Sequence, residues 1–168
     1  MSIEIDPEQA YRQAMGAFAT GVTVVTAPGA SGLSGMTVNS LTSVSLKPRL
    51  LLWCLGDQSA RYADFADAQA WGVTILAAGE EAHARRFAQA KTQTVRAADV
   101  ETFAGVPVLR GGIAHLACRT YERKHAGDHV IIIGEVLDVR VQPGAALAFF
   151  RGGYGEIAGG ANNSGSDD

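Results

Sequence analysis

The feature that most constrains the fold is a strand-like alternation of side chains over residues 35–46. Small polar residues there alternate with apolar ones at Leu41, Val44 and Leu46, and the Thr and Val residues favour an extended backbone. The next segment, 50–55, is apolar at every position, which is typical of a strand covered on both faces. Two consecutive segments of this kind indicate a sheet with a buried core.

Strand-like segments recur along the chain and are separated by glycine, proline and polar turn residues. Seven strands are predicted, at 22–27, 33–38, 42–46, 50–55, 71–76, 115–123 and 129–141. The segment 91–112 is less regular and is expected to be a loop with short strands around Val95 and Val108. Turns at such short intervals predict a mainly β fold, an antiparallel barrel that is closed or partly closed and carries two or three helices.

Three segments show the spacing of apolar residues that is typical of helices. The first is predicted to begin after Asp6, its N-cap, and to end at Gly21. A short helix with Ser59 as its N-cap is predicted over 59–67, and a third helix over 80–90.

The composition bounds the class of protein. At 168 residues, with 47% apolar and 18% charged residues, the chain is predicted to form one domain over 1–158, followed by a disordered tail over 159–168. A net charge of −3 without a basic cluster argues against nucleic acid as a partner. No apolar run approaches the length that spans a membrane, so no membrane association is expected.

Residues that commonly form disulfides or bind metals are few. Cys54 and Cys118 are isolated, each within an apolar segment, which favours a protein of the reducing cytoplasm over one built on disulfides. His125 and His129 are four residues apart, but Gly127 between them indicates a turn rather than a helical metal site. No bound metal is therefore expected.

The polar side chains of 35–46 are the remaining candidates for chemistry. No phosphate-binding glycine motif, Cys-x-x-Cys pair or distinct Ser-His-Asp set is present in the sequence. Hydroxyl and amide groups along a half-buried strand can offer donors and acceptors to the rim of a flat polar ligand. The same groups can equally be solvated hydroxyls of an edge strand, and the residues alone leave both interpretations open.

Longer motifs favour the first interpretation, because their order and spacing resemble those of one family. The motifs lie at 21–26, 35–40, 43–48, 127–129, 134–136 and 150–155. They make the chain, from about residue 10 to 157, similar to the short-chain flavin reductases, the reductase components of two-component flavin monooxygenases. The resemblance implies an FMN-binding split barrel, Greek-key-like and homodimeric. It also implies an NAD(P)H:flavin oxidoreductase that reduces FMN or FAD with NADH or NADPH and passes the reduced flavin to a separate monooxygenase.

The family's flavin-binding segments fall on and around the strand predicted at 42–46. By resemblance, flavin contacts are expected at Met36, Thr37, Val38, Asn39, Ser40, Ser43, Val44, Ser45 and Cys54. The flavin phosphate is expected at the helix N-terminus marked by Ser59, and at Arg86 beside Phe87, since a guanidinium binds phosphate through two hydrogen bonds. The alternatives are a small buried hydrophobe for Cys54 and a solvated helix face for Arg86.

The same resemblance assigns two segments to the nicotinamide nucleotide. His129 is expected to contact the nucleotide and Asp128 to orient the imidazole ring, so this pair is the predicted catalytic centre. The second element is Tyr154, whose ring can stack on the nucleotide, together with glycines that allow close backbone approach, Gly152, Gly153 and Gly155. The alternatives are a structural histidine, a simple turn aspartate and a flexible exit from a last helix.

Two other functions remain open from the sequence. A flavin-binding module without turnover would have no need of an intact His129 and Tyr154. A flavoenzyme resembling the pyridoxamine-phosphate oxidases would need more cationic residues around the phosphate than Ser59 and Arg86 provide. Residues 79–81 depart from the family, which often has a glutamine in this loop.

Overall fold

The computed structural model describes residues 6–89 and 95–159. The predicted tail, apart from Gly159, lies outside the described residues. The α-helices are α1 (Pro7–Gly16), α2 (Tyr62–Ala66) and α3 (Glu81–Ala88). The strands are β1 (Thr20–Gly21), β2 (Thr23–Gly29), β3 (Gly32–Val38), β4 (Thr42–Leu46), β5 (Arg49–Gly56), β6 (Ala70–Ile75), β7 (Val100–Phe103), β8 (Val106–Leu109), β9 (Ala114–Ala126), β10 (His129–Val141), β11 (Ala146–Phe150) and β12 (Gly153–Ile157). Among the described helices, none has the length and apolar character needed to cross a membrane.

Seven of the strands form one antiparallel sheet, in the order β3-β2-β6-β9-β10-β5-β4. The two edge strands, β3 and β4, follow each other in the chain with only residues 39–41 between them. The sheet must therefore curl until its edges approach each other, which gives a partly closed barrel. The prediction of a mainly β, antiparallel fold is confirmed.

The main core lies where Trp53 of β5, Trp71 of β6 and Phe65 of α2 meet. The Trp53 ring is 5.6 Å from that of Phe65 and 5.9 Å from that of Trp71, edge to face in both pairs. All three side chains are fully buried, and burial of such a side chain stabilises the fold by about 1.5–3 kcal/mol. Gly134 of β10 lies so close to the Trp71 ring that any Cβ would overlap it. Glycine is required there for the tryptophan to pack.

A second core lies between the main sheet, α3 and a three-stranded sheet of order β1-β11-β12. Val22, Phe87 and Leu147 are buried in it, and Phe149 and Tyr154 pack against its edge. This core fixes the position of the hairpin formed by β11 and β12, on which the candidate site depends.

Helix α1 begins as predicted but ends earlier. Asp6 caps it by accepting a hydrogen bond from Gln9 N at 3.1 Å. The predicted end at Gly21 is wrong, because the helix stops at Gly16 and residues 20–21 pair with β11 as β1. No residue of α1 is buried in the chain.

Ser59 does not cap α2. That helix begins at Tyr62, and Arg61 occupies the N-cap position. The Ser59 hydroxyl accepts a hydrogen bond from Arg61 N at 3.3 Å, and the Ser59 carbonyl accepts one from Tyr62 N at 2.9 Å. The predicted cap is therefore wrong, because the chain makes a turn before the helix starts.

The C-terminal half contains three strands that the sequence did not predict, β7, β11 and β12. β7 and β8 pair as a separate sheet, and this confirms the strand expected around Val108. Val95 is buried and lies outside the described strands, with its N–H donated to the Leu33 carbonyl at 3.1 Å. The part of the expected strand that precedes Val95 lies outside the described residues. β11 and β12 form a hairpin where one alternative placed the exit from a helix.

Candidate functional site

Parts of the predicted flavin segment and of the predicted nicotinamide segment line one pocket. This pocket, of about 160 Å³, is bordered by Val22, Thr37, Asn39, Phe149 and Tyr154, and we term it the tyrosine pocket. Asn39 is exposed and Tyr154 is half-buried, whereas Val22 is 1% exposed. A small number of polar groups beside an apolar surface is typical of sites that bind ring-shaped ligands.

The walls of the tyrosine pocket are held by contacts with α3 and within the hairpin. The Thr37 hydroxyl donates a hydrogen bond to the Ala84 carbonyl of α3 at 2.8 Å. Phe149 and Tyr154 are direct partners across β11 and β12, with ring centroids 5.3 Å apart. The Thr37 hydroxyl thus donates its proton to α3, so it can offer a ligand only acceptor lone pairs, beside the backbone groups of this residue.

The turn between β11 and β12 accounts for one of the predicted nicotinamide glycines. Arg151 and Gly152 have φ angles of +48° and +80°, in the left-handed region that favours glycine. A side chain at Gly155 would meet no atom within 4 Å. Packing therefore does not require glycine at that position, and its bare backbone next to Tyr154 is open to the close approach of a ligand.

His129 and Asp128 line a second, larger pocket at the turn between β9 and β10. This histidine pocket, of about 640 Å³, is bordered by Glu8, Tyr11, Arg12, Cys54, Ala126, Asp128, His129 and Ile131. One wall comes from α1 and the others from β5, β9, β10 and their turn. Of the predicted flavin contacts, only Cys54 lies here.

Asp128 fixes the orientation of the His129 ring. His129 Nδ1 donates a hydrogen bond to Asp128 Oδ1 at 2.7 Å. Because a carboxylate only accepts, the neutral ring carries its proton on Nδ1 and leaves Nε2 as an acceptor. This hydrogen bond, with a second from its own backbone, holds the pKa of Asp128 below its usual value. The His129 side chain is 48% exposed and lies beside Gly56 of β5.

A hydrogen bond connects the edge of the flavin segment to the histidine pocket. Cys54 N donates to Ser40 Oγ at 2.9 Å, so the Ser40 hydroxyl joins the loop after β3 to β5. Cys54 is a half-buried free thiol, whereas Cys118 is a fully buried free thiol. Burial raises the pKa of the Cys118 thiol to about 12.

Other predicted flavin contacts lie away from both pockets. Val38 is buried. Ser43 and Val44 are exposed on the edge strand β4, and Ser45 Oγ accepts a hydrogen bond from Lys47 N at 3.3 Å. The three β4 residues therefore face a surface that another molecule would have to cover before they formed part of a closed site.

The predicted phosphate contacts on α3 are engaged within the fold. Arg86 Nη1 donates to Asp99 Oδ2 at 2.8 Å, and hydrogen bonds from Arg96 and Arg86 hold the pKa of Asp99 well below its usual value. Phe87 is completely buried. These two residues thus stabilise the end of α3 and the second core, and their contact with a flavin stays a prediction.

Sequence reasoning missed Arg61, which joins the Ser59 loop to α3. Arg61 is 5% exposed and donates from Nη1 to the Phe87 carbonyl at 2.7 Å and from Nη2 to the Gln89 carbonyl at 2.6 Å. Burial lowers the pKa of this guanidinium. The Ser59 hydroxyl also contacts Met36 Sδ at 3.6 Å, so the loop connects the flavin segment to the end of α3. A lone arginine in a polar stretch gives no sequence signal for such burial.

Arg85 was also missed, because its neighbour Arg86 matched the family motif. Arg85 Cζ lies 5.0 Å from the centre of the Tyr154 ring. The signal that could have found it is Glu81, four residues earlier on the same face of α3, since oppositely charged side chains at this spacing pair along a helix.

Comparison with known proteins identifies the family to which this chain belongs. Residues 15–158 match a family model described as a flavin reductase like domain. The chain belongs to this family. An FMN reductase (NADH) of Agrobacterium fabrum is 41% identical over 154 residues, which cover 89% of this chain and 86% of the relative.

Solved flavin reductases share the fold of this family member. The NADH:FAD oxidoreductase of Streptomyces globisporus in complex with NAD and FAD fragments has a TM-score of 0.83 and 33% identity, covering 97% of this chain and 99% of that one. The flavin reductase of the styrene monooxygenase of Pseudomonas putida S12 has a TM-score of 0.81 and 27% identity, covering 90% and 99%. The family and fold expected from the motifs are confirmed.

The residues of this flavin reductase family member fit a flavin at the tyrosine pocket. The exposed Asn39 amide offers both a donor and an acceptor, which suits the polar edge of an isoalloxazine. Phe149 offers apolar surface for the ring, and the backbone at Gly155, next to Tyr154 in the chain, is uncovered.

Proposed function

We propose that the protein is an NADH-dependent flavin reductase that transfers hydride to FMN or FAD and supplies reduced flavin to a separate monooxygenase. The observation that carries the proposal is the tyrosine pocket, where Thr37 and Asn39 of the flavin segment face Tyr154 of the nicotinamide segment. Family membership supports it, as do an NADH-using FMN reductase among the relatives and a similar structure that holds NAD and FAD fragments. The similarity to the flavin reductase of a styrene monooxygenase supports a separate monooxygenase as the partner.

The reaction places few demands on side-chain chemistry. A bound flavin supplies the ring that accepts a hydride, with its electron pair, from the nicotinamide, and a proton from solvent completes the reduction. The protein has to hold two flat rings in contact and exclude water. Asn39 and the backbone of 36–40 are assigned to the flavin, and the Tyr154 ring with the open backbone at Gly155 to the nicotinamide nucleotide.

His129 is assigned to the nicotinamide nucleotide. Its Nδ1–H is held by Asp128, so Nε2 of the neutral ring is the atom that can accept a hydrogen bond, for which the nicotinamide carboxamide is a suitable donor. Cys54 borders the same pocket, and its backbone is bonded to Ser40 of the flavin segment. This connection keeps the two halves of the site in a fixed relation.

The protein is assigned a homodimeric state because a large apolar surface is exposed in the single chain. Tyr11, Met15 and Phe18 of the α1 region are 68%, 51% and 69% exposed, and Leu46 on the edge strand β4 is 86% exposed. A ten-residue helix without buried residues needs packing partners to be stable. A second copy would supply them beside both pockets. Sedimentation of the active protein as a monomer at micromolar concentration would contradict this assignment.

The proposed setting is a reducing cytoplasm, which the two free thiols support. The activity itself is tested by NADH and NADPH oxidation by the purified protein, with FMN, FAD and riboflavin each varied in turn. Saturable oxidation that depends on flavin concentration is expected with NADH. Flavin binding without oxidation of either nucleotide would instead indicate a flavin-binding module, and lack of both would refute the proposed function.

A further inference from the structure

Arg85 covers the ring of Tyr154, a wall of the tyrosine pocket. Its Cζ atom is 5.0 Å from the ring centroid, a distance at which a guanidinium is attracted to the face of an aromatic ring. Phe149 packs on the same tyrosine, with 5.3 Å between the ring centroids. The Tyr154 ring therefore contacts both an aromatic side chain of its own hairpin and a cation from α3.

Arg85 also pairs with a residue of its own helix. Its guanidinium bonds the Glu81 carboxylate at 2.6 Å, one helical turn earlier. The preceding residue, Ala84, is fully buried, and its carbonyl accepts the hydrogen bond from the Thr37 hydroxyl. A continuous series of contacts thus runs from the flavin segment through α3 to Arg85 and on to Tyr154.

We infer that Arg85 is a positioning residue that holds the Tyr154 ring in place for the nicotinamide nucleotide, a role that rests on the proposed function. Arg85 acts through the ring and makes no contact with the nucleotide. Its planar guanidinium can bond Glu81 at its edge while its face lies on the tyrosine, which the tetrahedral ammonium of lysine cannot reproduce. Glu81 also offsets the positive charge, so Arg85 is a weak attractant for nucleotide phosphates.

The test compares Arg85→Gln with Arg119→Gln, a matched control. Arg119 is 62% exposed and bonds Glu135 at 2.7 Å, against 63% and 2.6 Å for Arg85 and Glu81, but it borders neither pocket. Arg85→Gln is expected to raise KM for NADH about two- to fivefold, with kcat, flavin affinity and melting temperature unchanged. Arg119→Gln is expected to change none of the four. Equal KM values in Arg85→Gln and wild type would overturn the inference.

A double-mutant cycle separates action through the ring from direct contact with the nucleotide. The effect of Arg85→Gln on KM is expected to persist beside Tyr154→Phe, which keeps the ring, and to disappear beside Tyr154→Leu, which removes it. An undiminished effect beside Tyr154→Leu would show direct contact and overturn the inference. Wild-type turnover is measured in the same assay, so an inactive wild type refutes the proposed function. In an active enzyme, additivity of Arg85→Gln with Tyr154→Leu refutes only the role of Arg85.

Discussion

The two pockets differ in how firmly the chain holds them. The tyrosine pocket rests on the second core, with Val22 buried beneath it, Thr37 bonded to α3 and Tyr154 packed on Phe149. The histidine pocket lies between a hairpin turn and α1, a helix with no buried residue. Its polar pair is exposed, with 48% and 91% of the His129 and Asp128 side chains in solvent.

The two pockets suit different requirements of the proposed reaction, the placement of flat rings in the tyrosine pocket and the exchange of nucleotide in the histidine pocket. A ring that must be placed to a fraction of an ångström for hydride transfer requires rigid walls, and the tyrosine pocket has them. The side chains proposed for the nicotinamide nucleotide, His129 and Asp128, are exposed at the hairpin turn, which suits a dinucleotide that binds and leaves in each turnover. Substitution of Asn39 in the tyrosine pocket should therefore affect the flavin, and substitution of His129 in the histidine pocket should affect the nicotinamide nucleotide.

The largest effect is expected from His129→Ala. Loss of a contact that orients the nicotinamide should lower kcat/KM for NADH about ten- to hundredfold. Flavin affinity should stay unchanged, and the melting temperature should fall only slightly, through loss of the hydrogen bond to Asp128. Steady-state kinetics and flavin titration measure the two quantities. Weaker flavin binding in this variant would remove the distinction between the pockets.

Asn39→Ala is the reciprocal test. The variant should bind flavin up to about tenfold more weakly, since a lost hydrogen bond to a ligand in a partly buried site costs about 1 kcal/mol or somewhat more. Its KM for NADH at saturating flavin should not change. Fluorescence titration of FMN and FAD measures the affinity, and Gln142→Ala, which removes an exposed amide that borders neither pocket, is the control. Unchanged flavin affinity in a folded Asn39→Ala variant would make the 35–46 strand purely structural.

Thr37→Val tests the rigidity of the tyrosine pocket. Removing the hydroxyl leaves the Ala84 carbonyl without its donor, so the free energy of unfolding should fall by about 1 kcal/mol. Urea denaturation measures the change, with Ser45→Ala as a control whose hydroxyl contacts only an exposed turn. Equal losses in both variants would show that the Thr37 contact gives the pocket no special support.

The smallest effect is expected from Asp128→Asn. The pKa of Asp128 is lowered in the folded protein, so its ionised form stabilises the fold above the unfolded-state value of about 3.9, and the stabilisation is lost as the pH falls through the lowered pKa. The wild type should therefore melt slightly above Asp128→Asn at neutral pH, with a difference that disappears in acid. In a His129→Ala background the difference should shrink, because the backbone hydrogen bond to Asp128 remains, and an undiminished difference would argue against the pair.

The sequence predicted the parts of the fold that local periodicity controls. The main strands and the Asp6 cap follow from alternation and capping chemistry within a few residues. β12 was missed because its glycines lower strand propensity and resemble a flexible tail, whereas its pairing with β11 is decided by the second core. The early end of α1 was missed for the same reason, since residues 20–21 leave the helical pattern only to pair with β11.

For the candidate site, the sequence indicated residues that line the pockets but not the partners that their side chains contact. Thr37 and Ser40 were expected to contact flavin, and this stays a prediction, but nothing in the sequence indicated that their hydroxyls also form hydrogen bonds within the protein. The direction in which a side chain points depends on the packing of distant segments, and sequence spacing carries no information about it. Burial of Arg61 and the contact of Arg85 with Tyr154 have the same origin.

The two thiols differ so much in accessibility that the reactivity of Cys54 can be used to monitor the histidine pocket in the wild-type protein. Only thiolates react with alkylating reagents. Cys118 is fully buried and its pKa is raised to about 12, so it does not react in the native protein. Cys54 is half-buried on the border of the histidine pocket. The labelling rate of a single natural residue therefore follows the opening and filling of that pocket, without any dye, tag or engineered cysteine.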